Sequence, residues 1–218
     1  FKNYKKSKSN NYEAISVEEL ESWSEDGAFP LLPFPESLEV FRQLKRSPSI
    51  AEKFADSWII KPRRELDASL QKNLMDLKSK DCPKGFYPIY KGASFDIWNP
   101  DQNDYYAWGD PKILIPFLRK KEKNRAEREL YKYDESKVHA EKPRISFRLI
   151  TNRTNRRTLI PALIPPNVFQ QHSVQFIEFI RGNEKDEAFL LGCLSSIPLD
   201  WYSRKFVEIN FTFNYFNS

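Results

Sequence analysis

The chain has 218 residues, 15% aromatic and 30% charged, with a formal net charge of +5. That length buries a real core in one domain, or in one domain with an appendage, and the basic excess favours polyanionic partners. No apolar run is long enough to span a membrane and no signal peptide is visible; two cysteines and two histidines exclude a disulfide framework and point away from a zinc site.

Phe1 to Asn11 is rich in Lys, Ser and Asn and is expected to fray. Ser16 followed by Glu19 is a capping-box pattern for a short helix bearing Val17, Leu20 and Trp23. The Pro30, Pro33, Pro35 cluster reads as a turn or rigid linker, with Pro35 opening a helix whose stripe is Leu38, Phe41 and Leu44. Ser47-Pro48 starts another short helix through Phe54, which completes a helical lead-in over residues 1–56.

A second region, 57–218, opens with a short strand at Trp58-Ile-Ile. Asp67 is placed to cap a helix buried through Leu70, Leu74 and Leu77. Asp81 to Gly85 is a turn, and Phe86 to Trp98 reads as two strands meeting near Lys91-Gly92. Tyr90, Phe95, Trp98, Tyr105, Tyr106 and Trp108 make an aromatic stretch that mostly builds core. Asp110-Pro111 starts a helix carrying Ile113, Leu114, Phe117 and Leu118, with a kink or early break expected at Pro116. Arg119 to Arg128 reads as a solvated helix face. Cys82 and Cys193 are expected as buried, reduced thiols of a cytosolic protein.

From Arg144 to Pro166 the pattern is most informative. Ile145, Phe147 and Leu149 alternate with Arg144, Ser146 and Arg148, which predicts a half-buried strand, and Leu159 to Ile164 supplies a second one. Between them Thr151 to Thr158 contains nothing apolar, and no Asp or Glu offsets Arg144, Arg148, Arg153, Arg156 and Arg157 within the stretch. Guanidiniums and amides on such a loop suit phosphate oxygens and base edges, since Arg pairs with two acceptors on guanine and Asn with adenine. A solvated hairpin tip is the competing reading. Beyond it, Val174 to Ile180 is a strand, Asp186 to Ser195 and the segment from Pro198 to Phe206 are helices, and Ile209 to Tyr215 is a last strand. Irregularly interleaved strands and helices predict an α+β fold with a mixed or mainly antiparallel twisted sheet flanked by helices.

No two of the six glycines are spaced for a phosphate-cradling loop, and Asn99-Pro100 lacks the amide-Pro-Pro-aromatic continuation that grips a flipped adenine. Pro100-Asp101 with Asp110-Pro-Lys112 loosely matches the acid-acid-lysine pattern of metal-dependent nucleases. Asp200 and Ser203 have no local histidine for a hydrolytic triad. The reading is a binding module without a catalytic centre; the alternative is a protein-docking module of a multi-subunit assembly with no DNA contact.

Five pieces, in order, resemble the C-terminal target-recognition region of large adenine-specific DNA methyltransferases, namely the fused type IIG restriction-modification enzymes and related phage-defence methyltransferases. They are Arg64 to Ala68, Pro88 to Trp98, Tyr105 to Trp108, Arg144 to Pro166, and Leu190 to Tyr202. The resemblance implies a bacterial, cytoplasmic, nucleoid-associated parent that methylates adenine N6 from S-adenosylmethionine, alone or joined to a nuclease. This fragment itself would hold no cofactor. Its partners would be double-stranded DNA and an upstream catalytic domain of the same chain, encoded before Phe1, with no membrane. The DNA-binding residues implied are Tyr90, Lys91, Arg148, Thr151, Asn152, Arg153, Asn155, Arg156 and Arg157. Motifs common to relatives with different targets do not choose bases. Arg148, Thr151, Arg153, Arg157 and Thr158, with Tyr90 to Gly92, are therefore expected to hold phosphates or the hairpin, while Asn152, Asn155, Arg156 or the 119–140 segment select sequence.

Overall fold

A computed structural model describes residues 15–23, 29–32, 34–48, 50, 58–134, 136 and 138–206. Helix α1 (Val17–Trp23) begins where Ser16 Oγ accepts the Glu19 amide at 3.1 Å, the serine half of the expected capping box. Helix α2 (Pro35–Lys45) opens on its proline and buries Leu38 and Phe41. The Glu19 carboxylate takes two bonds from the Arg42 guanidinium, at 2.5 and 2.9 Å, which ties α1 to α2. The helix expected after Ser47-Pro48 runs into residues 51–57, and the strand at 209–215 falls within 207–218. Both lie outside the described residues, as does the start of the chain.

The remainder is α+β, built on two four-stranded sheets. Strands β1 (Ile59–Arg63), β5 (Arg144–Arg148), β6 (Pro161–Ile164) and β8 (Val174–Arg181) form the first, in the order β1-β8-β5-β6 and antiparallel throughout. Strands β2 (Met75–Asp76), β3 (Tyr87–Tyr90), β4 (Tyr105–Gly109) and β7 (Phe169–Gln170) form the second, in the order β2-β4-β3-β7, where only β3 and β7 run parallel. Helix α3 (Pro111–Glu129) packs Leu114 and Leu118 onto Ile89, Ala107 and Phe169 of the second sheet. Helix α4 (Glu184–Leu194) packs Leu190 and Leu194 onto Ile145, Phe147 and Ile177 of the first. Helix α5 (Ile197–Phe206) carries Phe206, which joins Trp23, Leu38 and Phe41 and so docks the lead-in. A further cluster of Tyr90, Phe95, Ile160, Ala162 and Val174 links strands of the two sheets. Among the described residues no helix is long and apolar enough to cross a membrane.

Several expected elements take a different form. Asp67 caps only a turn, its Oδ1 accepting the Ser69 and Leu70 amides at 2.9 and 3.1 Å. The chain then makes one 3-10 turn (Lys72–Leu74) and enters β2, leaving Leu70 78% exposed. An isolated helix of that length is marginal in water, whereas β2 buries Met75 and pairs it with Gly109. Phe86 to Trp98 holds a single long-range strand, β3; after Lys91 a 3-10 turn (Gly92–Ser94) forms, with Ser94 Oγ accepting the Lys91 amide at 2.9 Å. The partner of β3 is β4, which arrives only at Tyr105.

Pro116 does not break α3, which runs 19 residues. The proline costs about 3 kcal/mol, and fully burying Leu114 and Leu118 returns roughly 3–6 kcal/mol. The 119–128 segment is not wholly solvated, because Glu122, Arg125 and Ala126 are buried. Cys82 is exposed and Cys193 half-buried, so neither is the buried thiol expected.

Candidate functional site

The predicted hairpin is present: β5 and β6 pair antiparallel from Arg144 opposite Ile164 to Phe147 opposite Pro161. Its base differs from a half-buried strand, since Arg144 to Phe147 are buried on both faces. Arg144 is buried against Glu65 at 2.7 Å and also donates to the Val168 and His139 carbonyls, at 2.9 and 3.1 Å. Burial pushes the Glu65 carboxyl up from its ordinary value, against the pull of Arg144. Anions that offset the basic run therefore exist, but they come from distant segments.

Two neighbouring residues of β8 and β1 extend this ionic layer. Glu178, 2% exposed, accepts from Arg63 at 2.6 Å, from Tyr131 at 2.9 Å and from Arg125 at 3.3 Å. Arg63 reaches Glu129 with two bonds of 2.7 Å, and Lys61 adds a third at 2.5 Å. These donors draw the Glu129 carboxyl down to about 2. Every carboxylate in this layer is occupied by protein donors, which suits a structural brace.

The predicted site residues separate into three groups. Tyr90 is fully buried and stacks on Tyr105 at 5.5 Å, so its ring is core and not a ligand platform. Lys91 is paired with Asp104 at 2.6 Å. Arg148 donates to the Phe95 carbonyl and lies 5.7 Å over the Phe95 ring, with Asp96 at 4.0 Å. Tyr90 and Arg148 thus belong to the packing around the hairpin base, while Lys91 is held ahead of β4.

Thr151, Asn152 and Arg157 shape the loop. Thr151 Oγ1 donates to the Thr158 carbonyl at 2.7 Å, and Asn152 Oδ1 accepts the Thr154 and Asn155 amides at 2.8 and 3.1 Å. Arg157 reaches the Ser195 and Ser196 carbonyls between α4 and α5, at 2.8 and 2.9 Å. Asp200 Oδ1 accepts the amides of Thr158 and Leu159 at 2.7 and 2.9 Å. Its other oxygen holds Arg204 at 3.0 Å.

Arg204 completes the arrangement. Its guanidinium donates to the carbonyls of Arg153 at 3.0 Å, Asn155 at 2.9 Å and Arg156. The loop's carbonyls are thus drawn towards α5. Arg153, Asn155 and Arg156 have exposed side chains, and Asn155 Nδ2 bends back to Thr151 Oγ1 at 3.3 Å. Nothing local in the sequence marks Asp200 or Arg204 as loop anchors; only their i, i+4 spacing on one helix face hints at a pair.

Asp101 and Asp110, the acids of the loose nuclease pattern, serve locally: Asp101 accepts from the Tyr105 hydroxyl at 2.9 Å, and Asp110 caps α3 through the Lys112 amide at 2.9 Å. Ser203 donates to the Leu199 carbonyl at 2.8 Å. Among the described residues no group of three or more His, Cys, Asp or Glu is placed to hold a metal ion. No protein-family model and no curated protein matches the chain.

Proposed function

We propose that the chain is the DNA target-recognition region of a larger S-adenosylmethionine-dependent adenine-N6 methyltransferase, with the catalytic domain upstream in the same protein. The observation that carries this reading is the pinned loop, with Arg153 and Arg156 exposed at its tip and its backbone held by Arg204, Asp200 and Asn152. A loop ordered before binding loses less entropy when it docks, and guanidiniums in fixed positions suit bidentate acceptors on phosphate or guanine. The net charge of +5 supports a polyanionic partner.

The test is fluorescence anisotropy of the chain with a labelled duplex of roughly 30 base pairs across a salt series. Wild type is expected to bind with a steep salt dependence. The Arg153→Ala, Arg156→Ala double variant is expected to lower the slope of log K against log salt by about 1.8, or about 0.9 for each phosphate that is no longer neutralised. If Arg156 reads guanine instead, its removal relaxes discrimination at one base pair by about 1–3 kcal/mol. A double variant indistinguishable from wild type in slope, affinity and discrimination would remove the loop from the interface.

A further inference from the structure

Between Lys112 and Glu129 the sequence holds seven cations and three acids, and its 119–128 part reads as a solvated helix face. The fold sorts them. Glu122 is 3% exposed and bonded to the Tyr133 hydroxyl at 2.9 Å, with His139 at 3.1 Å. Glu129 is taken by Arg63 and Lys61. Lys121 and Arg125 also turn inward, Lys121 to the Arg64 and Glu65 carbonyls and Arg125 to Glu178. Lys112, Arg119, Lys120, Lys123 and Arg128 have exposed side chains, as does Glu127.

At about 100° per residue Lys112, Arg119 and Lys123 fall within roughly 20° of one line along the axis, with Lys120 about 80° and the acid Glu127 about 60° round to the same side. With a rise of about 1.5 Å per residue that line carries positive charge over roughly 16 Å. Glu141 approaches Arg119 only to 4.0 Å, and both side chains remain partly exposed.

We propose that this outer face of α3 is a second nucleic-acid surface, one that holds the phosphates of duplex DNA without reading bases. It rests on the reading above for the identity of the polyanion, and on none of the loop's residues. The chemistry favours a duplex backbone. The exposed side of α3 presents no aromatic ring on which an unstacked base could lie. Its exposed apolar residues are Ile113 and Pro116, too little for insertion into a lipid surface. A row of cations on a rigid helix matches a backbone of regularly spaced negative charge.

The experiment compares wild type, the loop double variant and a Lys112→Gln, Arg119→Gln, Lys120→Gln variant on three duplexes of unrelated sequence across the same salt series. All three substituted side chains are exposed, so unchanged circular dichroism and Tm serve as the folding control. The helix variant is expected to lower the salt slope by about 2.7, or about 0.9 for each of three phosphates, and to weaken all three duplexes by the same factor. A helix variant with the wild-type slope overturns the inference. So does one that changes the ranking of the duplexes, which would make the face a base reader, and so does a wild-type chain that binds no duplex at low salt. A lowered slope in the helix variant alongside a normal loop variant leaves this surface standing and fails the loop.

Discussion

Replacing Arg204 with alanine is expected to loosen the 152–158 loop while the rest of the fold stays intact. The substitution removes three hydrogen bonds to the carbonyls of Arg153, Asn155 and Arg156, together with the 3.0 Å pair with Asp200. Hydrogen bonds to charged groups contribute about 1.5–3 kcal/mol when buried. Arg204 keeps 27% of its side chain exposed and the freed carbonyls can turn to water, so about 0.5–1 kcal/mol each is the better figure. Together these come to about 2 kcal/mol. Asp200 retains the amides of Thr158 and Leu159 as well as the nearby Arg157 guanidinium. The loop's outer half should therefore open while its C-terminal end stays fixed. Residue-resolved hydrogen exchange reads this directly: the Thr154 and Asn155 amides should exchange roughly 30-fold faster, and those of Thr158 and Leu159 should change little. Arg204→Lys keeps the charge beside Asp200 but lacks the planar fork, so it should fall between the two. Equal loss of protection at all four amides, or none at any, would show that Arg204 does not set the loop's shape.

Arg144→Met should cost about 3–5 kcal/mol by stranding Glu65 without its cation, and adding Glu65→Gln should recover most of it; urea midpoints of both single variants and the double close the cycle, and strict additivity would deny the coupling. Glu129, held at about 2 by Arg63 and Lys61, contributes stability above its unfolded value near 4.5 and loses it as pH falls through about 2. Allowing for solvent screening of a side chain that is 26% exposed, about 1–2 kcal/mol should vanish over that window. Glu129→Gln should flatten that part of the stability–pH curve, and an unchanged acid limb would refute the assignment.

The parts legible in the sequence are those where one local pattern decides. Ser16 and Glu19, the proline opening α2, the apolar, β-branched and aromatic run of β8 and the breaks around α4 and α5 each lead to the element found. The hairpin is legible too, and so is the α+β class. The fate of its cations is not. Arg144 and Glu65 are 79 residues apart, and Arg204 meets the loop across 48 to 51, so spacing along the chain could not reveal that Arg144 is neutralised inside or that Arg148 and Arg157 are drawn onto backbone carbonyls. Asp67 shows the same limit from the other side. Its cap is real, but pairing of Met75 with Gly109 decides that the chain beyond it becomes a strand and not a helix. At Gly109 the close approach of the Leu114 and Phe169 side chains leaves no room for a Cβ, a constraint with no sequence signature beyond the glycine itself.

The buried ionic layer bears on how the hairpin is placed. Buried ion pairs add little net stability compared with well-packed apolar residues of similar volume, so Arg144, Glu65, Arg63 and Glu178 are poorly explained as a source of folding energy. Their effect on register is stronger. A one-residue slip of β5 would turn Arg144 and Ser146 into the α4-facing cluster of Ile145 and Phe147, where the guanidinium would meet Leu190 and Leu194 in place of Glu65. A matching slip of β1 against β8 would separate Arg63 from Glu178. Each misregistered state leaves a charge buried and unpaired at a cost of several kcal/mol. Because β5 leads directly into the loop, fixing its register also fixes where Arg153 and Arg156 stand relative to Arg204. The cations buried at the hairpin base thereby set the position of those left exposed at its tip.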